Sequence, residues 1–249
     1  MHKGLFSGLF FFLLCIILTG CSSMYVPNVP NTPMLSADGE LHAAAHISLK
    51  GNASFNSAYA VSDHFSVMLN GSFMNRDRER RDFSQNLLEA AGGYYTTFGS
   101  EGSRILEIYS GLGRGSSLRV LREVTTEGLV SNERQQVSFS KFFLQANYSS
   151  KRKKSLKLFG TAYPINYGTA LRISHMKMRD FKVNDIKQEG EDNIFFEPVF
   201  FTRLQLNRAV QLQYTSGSNF GLKNRDYLTA GSSVFTLGIA INVGGIVRP

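Results

Sequence analysis

The sequence predicts an all-β protein, an antiparallel up-and-down β-barrel of about ten strands (roughly 8–12). Three observations predict it. Beyond Gly39 the hydrophobic period is two. The composition, with Gly 23, Phe 20, Tyr 10 and no Trp, suits strands and tight turns. The connections between alternating stretches are long and charged at one end and tight at the other.

The elements follow in chain order. Met1-His2-Lys3 and the apolar run from Leu5 to Leu18 form a secretory signal peptide over residues 1–20, too short to span a membrane. Leu18-Thr19-Gly20-Cys21 resembles the bacterial lipobox. That resemblance implies lipidation of the Cys21 sulfur, cleavage just before it and acylation of the new amine. Because Ser22 and not Asp follows, it also implies sorting to the outer membrane. Cys15 leaves with the signal peptide, so no disulfide is expected. Residues 21–38 then carry three of the six prolines, Pro27, Pro30 and Pro33. They read as an extended tether between lipid and domain.

Residues 39–249 are expected to form the barrel domain. Candidate strands lie at 40–49, 54–61, 64–74, 87–98, 104–113, 135–148, 165–177, 193–205, 208–215 and 232–243. Alternation is cleanest where Val67, Leu69 and Phe73 interleave with Met68, Asn70 and Ser72, and where Leu237, Ile239 and Ile241 interleave with Gly238, Ala240 and Asn242. Segment 155–163 is ambiguous, an early part of the seventh strand displaced by Pro164. Long connections fall at 75–86, 114–134, 178–192 and 216–231; tight ones fall at Ser62-Asp63, 99–103, 149–154 and around Asn207. An even strand count places both ends of the barrel on one side.

This pattern resembles that of small bacterial outer-membrane β-barrel proteins, with short periplasmic turns and long outer loops. In the last strand Thr236, Gly238, Ile241 and Val243 resemble the family's assembly signal; Val243 stands where the family prefers an aromatic, and six residues follow it. The resemblance implies an outer-membrane location, a lipid anchor at Cys21, termini in the periplasm and a structural, surface-interaction or assembly role. Outer-membrane lipid is the expected partner, with lipopolysaccharide or another envelope protein as further candidates. The formal net charge of +8 fits anionic headgroups. Nucleic acid is not an expected partner for an exported lipoprotein.

If the apolar faces meet lipid, the opposite faces line the lumen. They include Glu89, Glu107 and Glu197 with Lys141, Arg172 and Arg203, an expected acid–base ladder that neutralises a narrow interior. Tyr95, Tyr109, Gln145 and Gln205 share that face. The reverse orientation gives a lipid-anchored soluble, lipocalin-like cup for an apolar ligand. A barrel hydrolase of outer-membrane lipid is a third reading.

Signals of chemistry are poor, and neither catalysis nor a cofactor is expected. Ser174 and His175 are strand neighbours that point to opposite faces, and no acidic partner is assignable to His175. Asp63-His64 reads as turn chemistry. His42 and His46 share a face but lie roughly 13 Å apart along a strand, too far to bind one metal ion. Gly111, Gly113 and Gly115 read as a bend or bulge near the rim. Lys151, Arg152, Lys153 and Lys154 form a basic cluster in a periplasmic turn, suited to an anionic headgroup.

Overall fold

Ten strands close on one another into a barrel. In the computed structural model, which describes residues 23–125, 128–158, 160–229 and 233–245, they are β1 (Leu41–Ser48), β2 (Asn52–Ala60), β3 (Phe65–Arg76), β4 (Arg81–Phe98), β5 (Arg104–Thr125), β6 (Gly128–Leu158), β7 (Thr161–Val183), β9 (Asp192–Gln205), β10 (Val210–Gly217) and β12 (Val234–Val243). The short strands β8 (Ile186–Lys187) and β11 (Phe220–Gly221) extend the sheet at one rim. Every pairing is antiparallel between neighbours, and β12 returns to β1 with Leu41 opposite Val243. Closure satisfies the backbone donors and acceptors that an open edge would expose.

Alternation decides which face is which. On β3, Val67, Leu69 and Phe73 point outward and are exposed, while Met68, Asn70 and Ser72 point inward and are buried. On β12, Leu237 is 56% and Ile239 is 53% exposed, whereas Thr236 and Ala240 are buried. Phe142, Leu144, Leu171, Ile173 and Phe200 continue the outward apolar belt.

Strands β4 to β7 run longer than expected. β6 has 31 residues, roughly three times what a tilted strand needs to cross a bilayer core. The expected loops 75–86 and 114–134 are therefore mostly strand, with the β3–β4 turn confined to 77–80. The expected turn at 149–154 is also strand. There β6 and β7 continue as a two-stranded hairpin to the pair Leu158–Thr161, and Ser155 sits opposite Pro164. Pro164 is tolerated because β9 pairs with β7 only from Ile165 onward, which leaves the proline on a free edge.

The tether also departs from expectation. It does not hang free beside the barrel. Met24, Tyr25, Asn28, Val29, Asn31, Thr32, Met34 and Leu35 are all buried inside it. At one rim the Met24 N–H donates to the Tyr227 carbonyl (2.9 Å), in the long connection before β12. At the other, the Gly39 N–H donates to the Ala60 carbonyl (3.0 Å), beside the tight β2–β3 turn. Gly39 sits at φ 72°, the left-handed conformation that turns the chain from lumen into β1. Leu41 and Val243 thus share the tight-turn rim, but the segment preceding β1 runs back through the lumen to the long-loop rim.

Candidate functional site

The lumen is built on one row of side chains. Glu89 on β4, Gly113 on β5 and Lys141 on β6 are consecutive in register. Gly113 has no side chain to stand between its neighbours, so the Lys141 ammonium reaches across β5 to the Glu89 carboxylate at 2.9 Å. A Cβ at Gly113 would meet Glu89 Cγ at 3.1 Å and Lys141 Cβ at 3.5 Å. The flanking glycines act likewise for aromatic rings: a Cβ at Gly111 would lie 2.5 Å from the Phe143 ring, and one at Gly115 would lie 2.6 Å from that of Phe139. These three glycines make a smooth inner stripe in regular register, not the bend or bulge expected; the register shift on β5 falls instead at Leu121/Arg122.

Four of the six charged residues read as a ladder form one group. Arg172 Nη1 donates to Glu89 Oε2 at 3.1 Å, and its Nε donates to Gln145 Oε1 at 2.7 Å. Lys141 also reaches Glu197 Oε2 at 3.5 Å. Two acids and two bases cancel, as a buried cluster requires. The tether completes the group: Tyr25 Oη donates to Glu197 Oε1 at 3.0 Å and accepts from Lys141 Nζ at 2.8 Å.

Glu107 and Arg203 do not join that cluster. Both are fully buried and turned to the tether. Glu107 Oε1 accepts from the Leu35 N–H at 3.2 Å, and its Oε2 accepts from Asn147 Nδ2 at 3.0 Å. Arg203 donates to the carbonyls of Thr32 and Pro33 and, through Nε, to Gln213 Oε1 at 2.7 Å. The acid–base ladder is thus a neutral cluster plus a pair of tether clamps. Sequence reasoning missed the tether's part entirely. The available signal was Tyr25, Asn28, Asn31 and Thr32, hydrogen-bonding side chains that a solvated spacer does not need.

Remaining candidates lie near the rims. His42 and His46 face inward and are buried; His42 Nδ1 is 3.0 Å from Asn242 Oδ1. Ser174 is buried, whereas His175 faces outward. Contrary to expectation, His175 does have an acidic partner: its Nε2 lies 3.2 Å from Asp192 Oδ2. Asp192 further binds Lys223 at 2.5 Å and Arg225 at 2.8 Å, a clamp that ties the connection after β11 to the long-loop rim. Hydrogen bonds from Lys223 and then His175 hold the Asp192 carboxyl well below the usual carboxylate range. At the tight-turn rim Lys151 Nζ donates to Ser36 Oγ at 2.9 Å and borders a recess of about 570 Å³ that Glu40, Arg203 and Asn242 also line. The side chains of Arg152, Lys153 and Lys154 lie outside the described residues, as does Cys21.

No family model and no curated protein matches this chain. A solved structure does: the translocator domain of the autotransporter NalP from Neisseria meningitidis, with a TM-score of 0.50 and 10% identity over 83% of this chain and 86% of that one. This is an outer-membrane β-barrel fold. At that identity the likeness concerns architecture and not activity. It accords with the closed antiparallel barrel and its outward apolar belt.

Proposed function

We propose that this chain is an outer-membrane lipoprotein whose barrel spans the bilayer and is closed by its own N-terminal segment. It serves a non-enzymatic structural, surface-interaction or assembly role. One observation carries the reading: large apolar side chains are exposed around the outside, while the interior is polar, neutralised and filled. An apolar surface of that extent needs a lipid partner. The interior gives the cup reading nothing to hold an apolar ligand, because charged residues and the tether occupy it. The pair a hydrolase reading would use, Ser174 and His175, faces opposite sides of the barrel wall.

Outer-membrane lipid is the partner this reading requires. Lipopolysaccharide, or a second envelope protein docked on the long hairpins, is a further candidate. The test removes the anchor (Cys21→Ala behind an ordinary signal peptide) and asks whether the protein still needs detergent. A compact band on a gel that unfolds only on boiling, together with detergent dependence, supports the spanning barrel. Solubility without detergent overturns it.

A further inference from the structure

We infer that the lipid on Cys21 inserts on the long-loop side of the membrane, the face opposite the tight turns and the C-terminal strand end. The inference rests on the reading of Cys21 as lipidated and of the barrel as spanning. It is carried by the direction in which the tether runs.

The contacts of the tether with β6 fix that direction. Tyr25 meets Lys141, Asn31 accepts from Gln145 and Asn147, and Ser36 meets Lys151. Tether number and β6 number rise together, so the segment runs in the same direction as β6, from the long-loop rim to the tight-turn rim. From Tyr25 to Ser36 is eleven residues; from Lys141 to Lys151 is ten. The tether is therefore nearly as extended as the strand beside it. Ten strand residues cover roughly 33 Å, or about 23 Å along the axis at a 45° tilt, comparable to a bilayer core. Contacts with other strands agree. Val26 pairs with Gln85 near the long-loop end of β4 and Asn31 with Asn70 in the middle of β3, whereas Pro33 pairs with Asn242 and Leu35 with Glu107 near the tight-turn ends of β12 and β5.

The upper end is held where this direction requires. Met24 belongs to a buried apolar cluster that includes Phe139, Met178, Phe181 and Leu228, and its carbonyl accepts from Ser117 Oγ at 2.7 Å. Ser23, the first described residue, is half-buried beside it, with its Oγ accepting from the Tyr25 N–H at 3.0 Å. Cys21 precedes Ser23 by two residues in the sequence, and two residues reach at most about 7 Å. A lipid on Cys21 therefore cannot arrive at the leaflet beside the tight turns while residues 24–35 occupy the lumen. With tight turns on the periplasmic side, the anchor lies in the leaflet facing the outside.

The experiment uses the full chain in cells. Once Cys21 is lipidated and Cys15 is removed, no free thiol remains to confuse single-cysteine variants. Ser23→Cys reports the mouth, Glu189→Cys the long-loop rim and Asp63→Cys the tight-turn rim; the last two positions are exposed. A membrane-impermeant maleimide is applied to intact and to permeabilised cells. Labelling of Ser23→Cys in intact cells alongside Glu189→Cys, with Asp63→Cys labelled only after permeabilisation, is the expected result. Labelling of Ser23→Cys only together with Asp63→Cys overturns the inference. If Glu189→Cys and Asp63→Cys label alike in intact cells, the spanning barrel itself fails. If Ser23→Cys stays unlabelled throughout, oxidation of an Asn31→Cys/Asn70→Cys pair decides: a cross-link supports the threaded tether, and its absence overturns it. Metabolic labelling with an alkyne fatty acid, lost in Cys21→Ala, separately tests the lipid.

Discussion

Lys141→Met removes the cation at the centre of the lumen. The native ammonium touches Glu89 at 2.9 Å, Glu197 at 3.5 Å and the Tyr25 hydroxyl at 2.8 Å, and every partner is at most 2% exposed. Methionine retains most of the side-chain stem, so little cavity is created, and the effect is mainly electrostatic. Arg172 still neutralises Glu89, but Glu197 keeps only the Tyr25 hydroxyl and the cluster acquires one unpaired buried charge. Removing one partner of a buried pair costs about 3–5 kcal/mol. Adding Glu197→Gln restores neutrality and leaves an acceptor for Tyr25, so the double variant recovers most of the loss and the cycle shows strong coupling. The assay is urea unfolding in detergent micelles, followed by the loss of the compact gel band. If the lumen were a wet channel, the pair would behave as an exposed one, worth about 0–1 kcal/mol. A single variant within about 1 kcal/mol of the native protein, or a double variant worse than Lys141→Met alone, refutes the dry neutral cluster.

Three further perturbations address other parts. Gly111→Ala forces a Cβ against the Phe143 ring and the Ala90 carbonyl, so it is expected to cost about 1–3 kcal/mol in the same unfolding assay; Phe143→Leu relieves the ring contact and recovers part of it, and no effect would mean that the stripe is not close-packed. The Asp192 carboxyl is held low in the folded state, so the clamp's stability is present above the unfolded carboxylate pKa of about 3.9 and is lost as pH falls below it. Proteolysis of the connection containing Lys223 should rise in acid for the native chain and be high but flat with pH in Asp192→Asn; the reverse pattern refutes the clamp. Replacing residues 25–35 by a glycine–serine segment of equal length should convert a silent protein into one that conducts ions in a planar bilayer. Continued silence would show that wall side chains, not the tether, close the lumen.

The strands of the apolar belt were legible because their two faces differ: β12 alternates large apolar residues outward with Thr236, Gly238, Ala240 and Asn242 inward, and β3 keeps the same period with Met68 and Met74 on its inner face. Where β4 to β7 continue past the apolar belt the contrast fades: Arg119 and Gln135 point inward and are buried, so a charged residue stands where an apolar or small one marks the inner face elsewhere. Leu118-Arg119-Val120-Leu121-Arg122 reads as a charged loop for that reason, although it pairs regularly with β4 up to Leu121. The lumen charges were legible by the same alternation, but their partners were not. Pairing depends on which strands are neighbours and on glycines such as Gly113, whose vacancy lets a side chain reach across a strand. His175 and Asp192 illustrate this: they are 17 residues apart in sequence and meet only because β7 and β9 pair.

The tether was legible as extended but not as a plug, and its prolines suggest why it can be one. Proline has no N–H, so Pro27, Pro30 and Pro33 each remove a donor that a buried segment would have to satisfy. What remains is a strand-like segment richer in acceptors than donors. The wall supplies the complementary excess. The carbonyls of Val26, Val29, Asn31, Thr32 and Pro33 accept from Gln85, Asn56, Gln145 with Asn147, Arg203, and Arg203 with Asn242, respectively. The N–H groups of Val26 and Leu35 find Gln85 Oε1 and Glu107 Oε1. A flexible Gly/Ser tether would bring more donors and more conformational entropy to lose, and would fit this wall less well. If Cys21 carries a lipid, as proposed above, the anchor acquires a role beyond attachment, because it would restrain the end of the segment that fills the lumen, while the Gly39 N–H bond to the Ala60 carbonyl holds the other end.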